Sequence, residues 1–283
     1  MMESWIVLAA FFLAGPVTSY LFFWYEAASG AHLERLKEVS GNRPGRWILR
    51  GLWTSVLSLF LQLLLRPLGL RRSLWHPPVL PSSSSGPAVI LVHGLFHDAS
   101  AWVFYRRWLK RAGFHEIHAW SYRSFGLSFD ELTDQLRGRI GKAFDSRSNK
   151  EVVLVGHSLG GLLASACAAK GCGGVRMRAL VTLGTPHGGS RLAAFGPGSL
   201  ARSLLPRSPL LQRLRPLHLP ADTPRLAVYS PVDNMVLPFE SLRPAEDGWE
   251  EQWCAPVSHV AMLYHKGTAR QVVDFLRRSL SSP

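Results

Sequence analysis

The sequence predicts an α/β protein: a mostly parallel sheet with helices on both faces and a small cap, preceded by a hydrophobic helical segment. Three observations predict this class. From residue 88 onward, short apolar runs of strand length alternate with longer segments of helical periodicity, the pattern of a buried parallel sheet. One of these runs, Val152 to Val155, enters Gly156-His157-Ser158-Leu159-Gly160 and continues as a helical stretch. At the other end of the chain, residues 4–25 form an uncharged run long enough to cross a bilayer as a helix.

Composition bounds the rest. A chain of 283 residues with 47% hydrophobic content can bury one large α/β core and still carry an appended N-terminal segment. The three cysteines, Cys167, Cys172 and Cys254, form no disulfide framework and lack zinc-ligand spacing, so they read as ordinary buried thiols with no metal site. The net charge of +13 comes mostly from arginines scattered over the whole length. Without a basic cluster or interleaved aromatics this excludes a nucleic-acid surface and suits an anionic membrane surface. Nothing in the pattern specifies an oligomeric state.

Residues 1–75 read as a membrane-anchor segment. The run 4–25 is the leading candidate for an anchoring or transmembrane helix. A cleaved signal peptide is disfavoured: no basic residue precedes the run, Glu3 is acidic, and no small-residue cleavage site comes before Leu21-Phe22-Phe23-Trp24-Tyr25. That aromatic cluster has the character of an interfacial belt. His32, Arg35, Lys37, Arg43 and Arg46 follow, which by the positive-inside tendency puts the C-terminal side of the first helix, and the domain beyond it, in the cytoplasm. A second apolar helix is expected at about 47–65. Its apolar part, 52–65, is short, contains Gln62 and is bracketed by arginines, so it reads as an interfacial or core-packed helix; a second crossing would move the domain to the other side. Residues 76–87 are rich in proline and serine and read as a linker, leaving 88–283 as the globular domain.

Within that domain the apolar runs 88–92, 117–120, 152–155, 179–183 and 226–230 are the expected strands. Residues 100–111 read as a helix closed by Gly113. Ser128 and Glu131 have capping-box spacing ahead of a helix with Leu132, Leu136, Ile140 and Phe144 on one face, and the last helix is expected over 268–280. Residues 190–224 interrupt the alternation with prolines, glycines and leucines, and read as a cap.

The turn at Ser158 carries the chemistry. Flanking glycines let strand and helix approach closely, a strained backbone lifts the serine hydroxyl above the sheet, and the Leu159 N–H points towards whatever that hydroxyl attacks. Acyl transfer by a serine needs a base, a carboxylate that orients the base, and oxyanion donors. Asp233 follows the strand 226–230 directly; Asp222, Glu240, Glu246 and Asp247 are its rivals, none of them at a strand end. His259 lies twenty-six residues further on, ahead of the last helix, and competes with His187, His218 and His265. The chain order Ser, Asp, His is the one a nucleophile elbow requires. His93-Gly94 follows the first strand, where the glycine lets backbone pass close to substrate. The Leu95 N–H is the expected second oxyanion donor, with Phe96 the runner-up. Gly94, Phe96 and His157 are candidate substrate contacts, and His93 a brace for the loop.

Three segments together carry a family resemblance: Val92-His93-Gly94-Leu95, Gly156-His157-Ser158-Leu159-Gly160-Gly161 and Leu183-Gly184-Thr185-Pro186-His187-Gly188-Gly189-Ser190. In these the chain resembles the α/β-hydrolase superfamily, and within it the bacterial triacylglycerol lipases and related lipase-like esterases. The resemblance runs from about residue 87 to 280. It implies a carboxylic-ester substrate, no cofactor, Ser158 as nucleophile, Asp233 and His259 as its partners, and Leu95 and Leu159 as oxyanion donors. The chain departs from secreted members of that group, which often carry a signal peptide, a disulfide and a calcium site. The expected function is a membrane-associated serine esterase or lipase acting on lipid or other acyl esters. Two alternatives stay open: an acyltransferase or thioesterase using the same acyl-enzyme, and a non-catalytic membrane protein that keeps the scaffold to bind a partner.

Overall fold

All five apolar runs pair into one sheet, and a sixth strand joins them. The computed structural model describes residues 2–71, 75, 86–144, 150–215 and 217–281. In it β1 (Ala88–Val92), β2 (Ile117–Trp120), β3 (Glu151–His157), β4 (Arg176–Leu183), β5 (Arg225–Tyr229) and β6 (Trp249–Trp253) form a parallel sheet in the order β2-β1-β3-β4-β5-β6. β6 was not among the expected strands. Its sequence, WEEQW, is half-exposed at the sheet edge, so it lacks the apolar run that marked the others.

Strand alternation divides the core into two layers. Val89, Leu91, Val153, Val155, Val181 and Val228 face one way, onto Trp102, Tyr105 and the last helix; Ile90, Val152, Leu154 and Leu180 face the other. The first layer is covered by a 3₁₀ turn (Ala99–Trp102), α4 (Val103–Arg111) and α9 (Lys266–Ser281), the second by α5 (Phe129–Phe144) and α6 (Leu159–Ala169). The capping box is formed: the Glu131 carboxylate accepts from the Ser128 N–H at 2.7 Å, and the Glu131 N–H donates to the Ser128 hydroxyl at 3.3 Å. Leu132, Leu136, Ile140 and Phe144 are all buried. The cap contains a 3₁₀ turn (Arg191–Phe195), α7 (Ser199–Arg202) and α8 (Pro209–Leu214), with Leu200, Leu204, Leu210 and Leu211 buried against the second layer. Cys167, Cys172 and Cys254 are free and buried, the first two with sulfurs 3.2 Å apart.

The N-terminal segment is helical: α1 (Met2–Ser29), α2 (His32–Val39) and α3 (Pro44–Gly69). The second apolar helix is longer than the stretch 47–65 expected from sequence. Pro44 is pre-organised for its first turn, and Arg46, Arg50 and Arg66 are good helix formers that extend it rather than end it. Among the described residues, this is the helix long and apolar enough to cross a membrane, with a mean hydropathy of 1.7 over its most apolar stretch. The proline- and serine-rich stretch read as a linker lies, over 76–85, outside the described residues.

These helices pack on the α/β domain. Tyr20, Phe23 and Ala27 of α1 and Leu36 of α2 are buried with Val232 and Leu237, which belong to the loop after β5. Burial of Phe23 and Leu36 contributes on the order of 1.5–3 kcal/mol each. The Tyr20 hydroxyl donates to the Val232 carbonyl at 2.9 Å, and His32 Nε2 donates to the Pro231 carbonyl at 2.8 Å while its ring stacks on Phe239.

Candidate active site

Because every strand runs the same way, the loops at their carboxyl ends meet along one edge of the sheet. Ser158 sits there between β3 and α6 at φ 55°, the left-handed region where a non-glycine residue is strained. The glycines around it are needed for space. A side chain at Gly156 would collide with the backbone of Gly160 and Gly161, and one at Gly160 with the backbone of Val92 and His93. The Ser158 N–H is tied to the Leu183 carbonyl at 2.9 Å.

Asp233 and His259 form a buried pair, with Asp233 Oδ2 at 2.7 Å from His259 Nδ1. Asp233 Oδ1 accepts the Met235 and Val236 N–H groups at 2.9 and 3.0 Å, which fixes the carboxylate and leaves Oδ2 for the imidazole. A proton on Nδ1 is thereby favoured, so Nε2 is the free basic nitrogen. Gly184, at φ 53°, lies under the pair: a β-carbon there would come within 3.1 Å of both Asp233 Oδ2 and His259 Nδ1. Ser158 and His259 line one cavity of about 270 Å³ together with Gly94, Leu95, Phe96 and His157. Among the described residues, no hydrogen bond joins the Ser158 hydroxyl to the imidazole.

The loop after β1 is held by His93. Its ring stacks on Tyr122 at 4.1 Å, Nδ1 donates to the Gly94 carbonyl at 2.8 Å, Nε2 accepts the Tyr122 N–H, and the Tyr122 hydroxyl donates to the His93 carbonyl. The two expected oxyanion donors differ from the runner-up in a specific way. The Phe96 N–H donates to the Ser124 hydroxyl at 2.8 Å, whereas among the described residues the Leu95 and Leu159 N–H groups have no protein acceptor. Gly94 passes against Ser158, where a β-carbon would lie 2.8 Å from the serine Cβ. His157 turns away from the serine: its Nε2 donates to the His259 carbonyl at 3.1 Å.

Burial keeps His93 and His157 neutral, pushing the first down to about 4 and the second well below its ordinary value; nearby histidines add to the effect on His157. An unfolded histidine takes up a proton near pH 6.5, and these folded ones resist it to lower pH. Their contribution to stability is therefore complete above about pH 7 and lost progressively as pH falls below about 6.5. Differential scanning fluorimetry is expected to give a melting temperature that declines between about pH 7 and pH 5. A flat profile over that interval would contradict the neutral assignment.

The other candidate acids and bases lie elsewhere. Glu246 pairs with Arg225 at 2.9 Å, His187 packs edge-on to Trp249, and His265 caps the start of α9 through Thr268. Sequence reasoning missed Asn234, whose Oδ1 accepts the His259 N–H at 3.1 Å. It also missed the contributions of the N-terminal helices. Asn234 Nδ2 donates to the Ser19 hydroxyl at 2.7 Å, the Ser258 N–H donates to the Thr54 hydroxyl at 2.9 Å, and Gln62 lines the cavity beside Ser158. No local pattern marks these helix residues, because each meets the site through a partner far along the chain. Among the described residues, no group of three or more His, Cys, Asp and Glu side chains is placed to hold a metal ion.

A family model described as the alpha/beta hydrolase family matches residues 89–279. The chain belongs to this family. Solved structures agree on the hydrolase fold. A lipase of Bacillus licheniformis, BlEst2 in its mature form, superimposes with a TM-score of 0.55 at 16% identity, over 72% of this chain and 96% of that one. The product of gene lin2722 from Listeria innocua gives 0.54 at 15% identity, over 68% and 94%. The phospholipase PlaB of Legionella pneumophila gives 0.53 at 14% identity, over 69% of this hydrolase and 62% of its own length. Comparison with proteins of curated function returns no significant match.

Proposed function

We propose that this chain is a membrane-associated serine hydrolase that cleaves carboxylic esters, chiefly lipid acyl esters, through an acyl-enzyme. The observation that carries the reading is the buried Asp233–His259 pair at 2.7 Å lining the same cavity as the strained Ser158. His259 Nε2 takes the Ser158 proton as Oγ bonds to the ester carbonyl carbon. The oxyanion is held by the Leu95 and Leu159 N–H groups, and Asp233 stabilises the imidazolium. The C–O bond then breaks with return of the proton to the leaving alkoxide, and water repeats the sequence to release the acid. The Ser158–His259 contact closes when substrate arrives, since catalytic hydrogen bonds are often long in the free enzyme.

The cavity wall supports an acyl substrate. Leu192, Ala193, Ala201 and Leu204 of the cap meet Val236 and Val260 across it, so a hydrocarbon chain would find apolar surface beside the serine. The lipase and the phospholipase among the structural neighbours point the same way. In this reading residues 1–75 associate the enzyme with the membrane, 76–87 join the two parts, and 88–283 form the catalytic domain. The basic stretch from His32 to Arg46 favours the anionic cytoplasmic leaflet. Incubation with a fluorophosphonate probe followed by peptide mapping is expected to place the adduct on Ser158. An adduct on another residue, or none, would overturn the assignment.

A further inference from the structure

The helix α3 meets the length and apolarity of a transmembrane segment, yet its amphipathicity is inverted. Gly51, Thr54, Ser55, Ser58 and Gln62, mostly spaced three or four apart, form the face turned to the α/β domain or to α1. Leu49, Trp53, Leu57, Phe60 and Leu64 form the opposite face and are 54–66% exposed. A helix that packs on a water-soluble domain buries its apolar side; here the polar side is buried and the apolar side stands free. α1 likewise leaves apolar side chains outward, at Leu13, Val17, Leu21 and Trp24, while its inward face of Tyr20, Phe23 and Ala27 is itself largely apolar and holds it to the domain.

Contacts with the domain extend along nearly all of α3. Thr54 holds Ser258, Gln62 reaches the cavity, Leu68 packs on the first core layer, and Gly69 lies against Asp98. The helix is about 39 Å long. Were it to cross a bilayer in this arrangement, the carboxyl edge of the sheet, with its exposed loops, would lie in hydrocarbon, where unpaired backbone groups are not tolerated. Exposed arginines mark both ends, Arg43 and Arg46 before the apolar stripe and Arg66 and Arg71 after it. These flanking charges suit anionic headgroups on either side of the apolar stripe.

We infer that α1 and α3 lie in the plane of one anionic leaflet as a monotopic platform, with the mouth of the Ser158 cavity facing the lipid. Phe96 on the cavity wall is 5.4 Å from the exposed Phe125, and the exposed Phe195 of the cap stacks on Phe22 of α1 at 5.3 Å. Substrate then enters laterally from the leaflet, passing Gln62, instead of from water. The direction of entry rests on the hydrolase reading; the in-plane placement does not.

The natural cysteines are buried, so single cysteines at Arg43→Cys and Leu70→Cys report the two ends of α3 in full-length protein on sealed vesicles of phosphatidylcholine and phosphatidylglycerol. A membrane-impermeant maleimide is expected to label both from the outside. Protection of one end until detergent is added would mean a crossing helix and would overturn the inference. In the second arm, the combined variant Trp53→Ser, Leu57→Ser, Phe60→Ser is expected to reduce vesicle co-sedimentation at least about tenfold, given the apolar area removed. Its turnover of a water-soluble short-chain ester should stay within about twofold, because these exposed side chains do not line the cavity. Undiminished sedimentation of that variant would also overturn the inference. Ser158→Ala is expected to sediment as the parent does, so loss of chemistry and loss of docking are read separately.

Discussion

Replacing Ser158 by alanine is expected to lower kcat/KM for a p-nitrophenyl ester by about 10⁴-fold or more, measured by release of p-nitrophenol. The size of the effect follows from the absence of a substitute on the cavity wall. Ser190 also lines the cavity, but its hydroxyl donates to the Met235 carbonyl at 2.7 Å and accepts the Leu192 and Leu237 N–H groups at 3.2 Å each. It has neither a base beside it nor a free lone pair to offer. What the proposed mechanism leaves in the variant is substrate binding and the oxyanion donors, which by themselves retain about 10³–10⁴-fold acceleration over water. Turnover within tenfold of the parent would remove Ser158 from the mechanism.

The second large effect is expected from Asp233→Asn, at about 10⁴-fold in kcat near neutral pH with little change in melting temperature. The reason lies in the way the carboxylate is divided. Oδ1 is held by the Met235 and Val236 N–H groups, so an asparagine there keeps its carbonyl oxygen on those donors and turns its NH₂ towards His259 Nδ1. The imidazole must then carry its proton on Nε2, the nitrogen that should receive the serine proton. The substitution is almost isosteric and leaves the loop's hydrogen bonds in place, so lost activity with retained stability separates orientation of the base from simple unfolding. Retained activity would indicate that another carboxylate orients His259.

Both variants probe residues that the linear sequence already singled out, and the physical reason is that their signals are local. A buried parallel strand must be apolar over its whole length, and a sharp strand-to-helix turn must have small residues where the two elements touch, as at Gly156 and Gly160. Asp233 stood out because it directly follows such a strand. His259 was legible from chain order, although β6 intervenes before it and was not expected. An edge strand with charged residues on its open face carries no apolar run to read. The sequence favours Leu95 over Phe96 as the second oxyanion donor, and in the folded chain the Phe96 N–H is bonded to Ser124.

The sequence by itself determined the α/β class, five of the six strands, the capped helix at Ser128 and the turn that presents Ser158. It also marked two apolar helices near the N-terminus, the first as an anchor and the second as interfacial or core-packed, without placing either beside the site. Only the tertiary structure decided that these helices pack beside the site, with Ser19 and Thr54 bonded to groups 215 and 204 residues away and Gln62 on the cavity wall. Periodicity records how apolar each face of a helix is, whereas which face meets the protein depends on partners far along the chain. In the middle of α3 the side chains turned to the protein are the polar ones, an assignment that no window of local sequence contains.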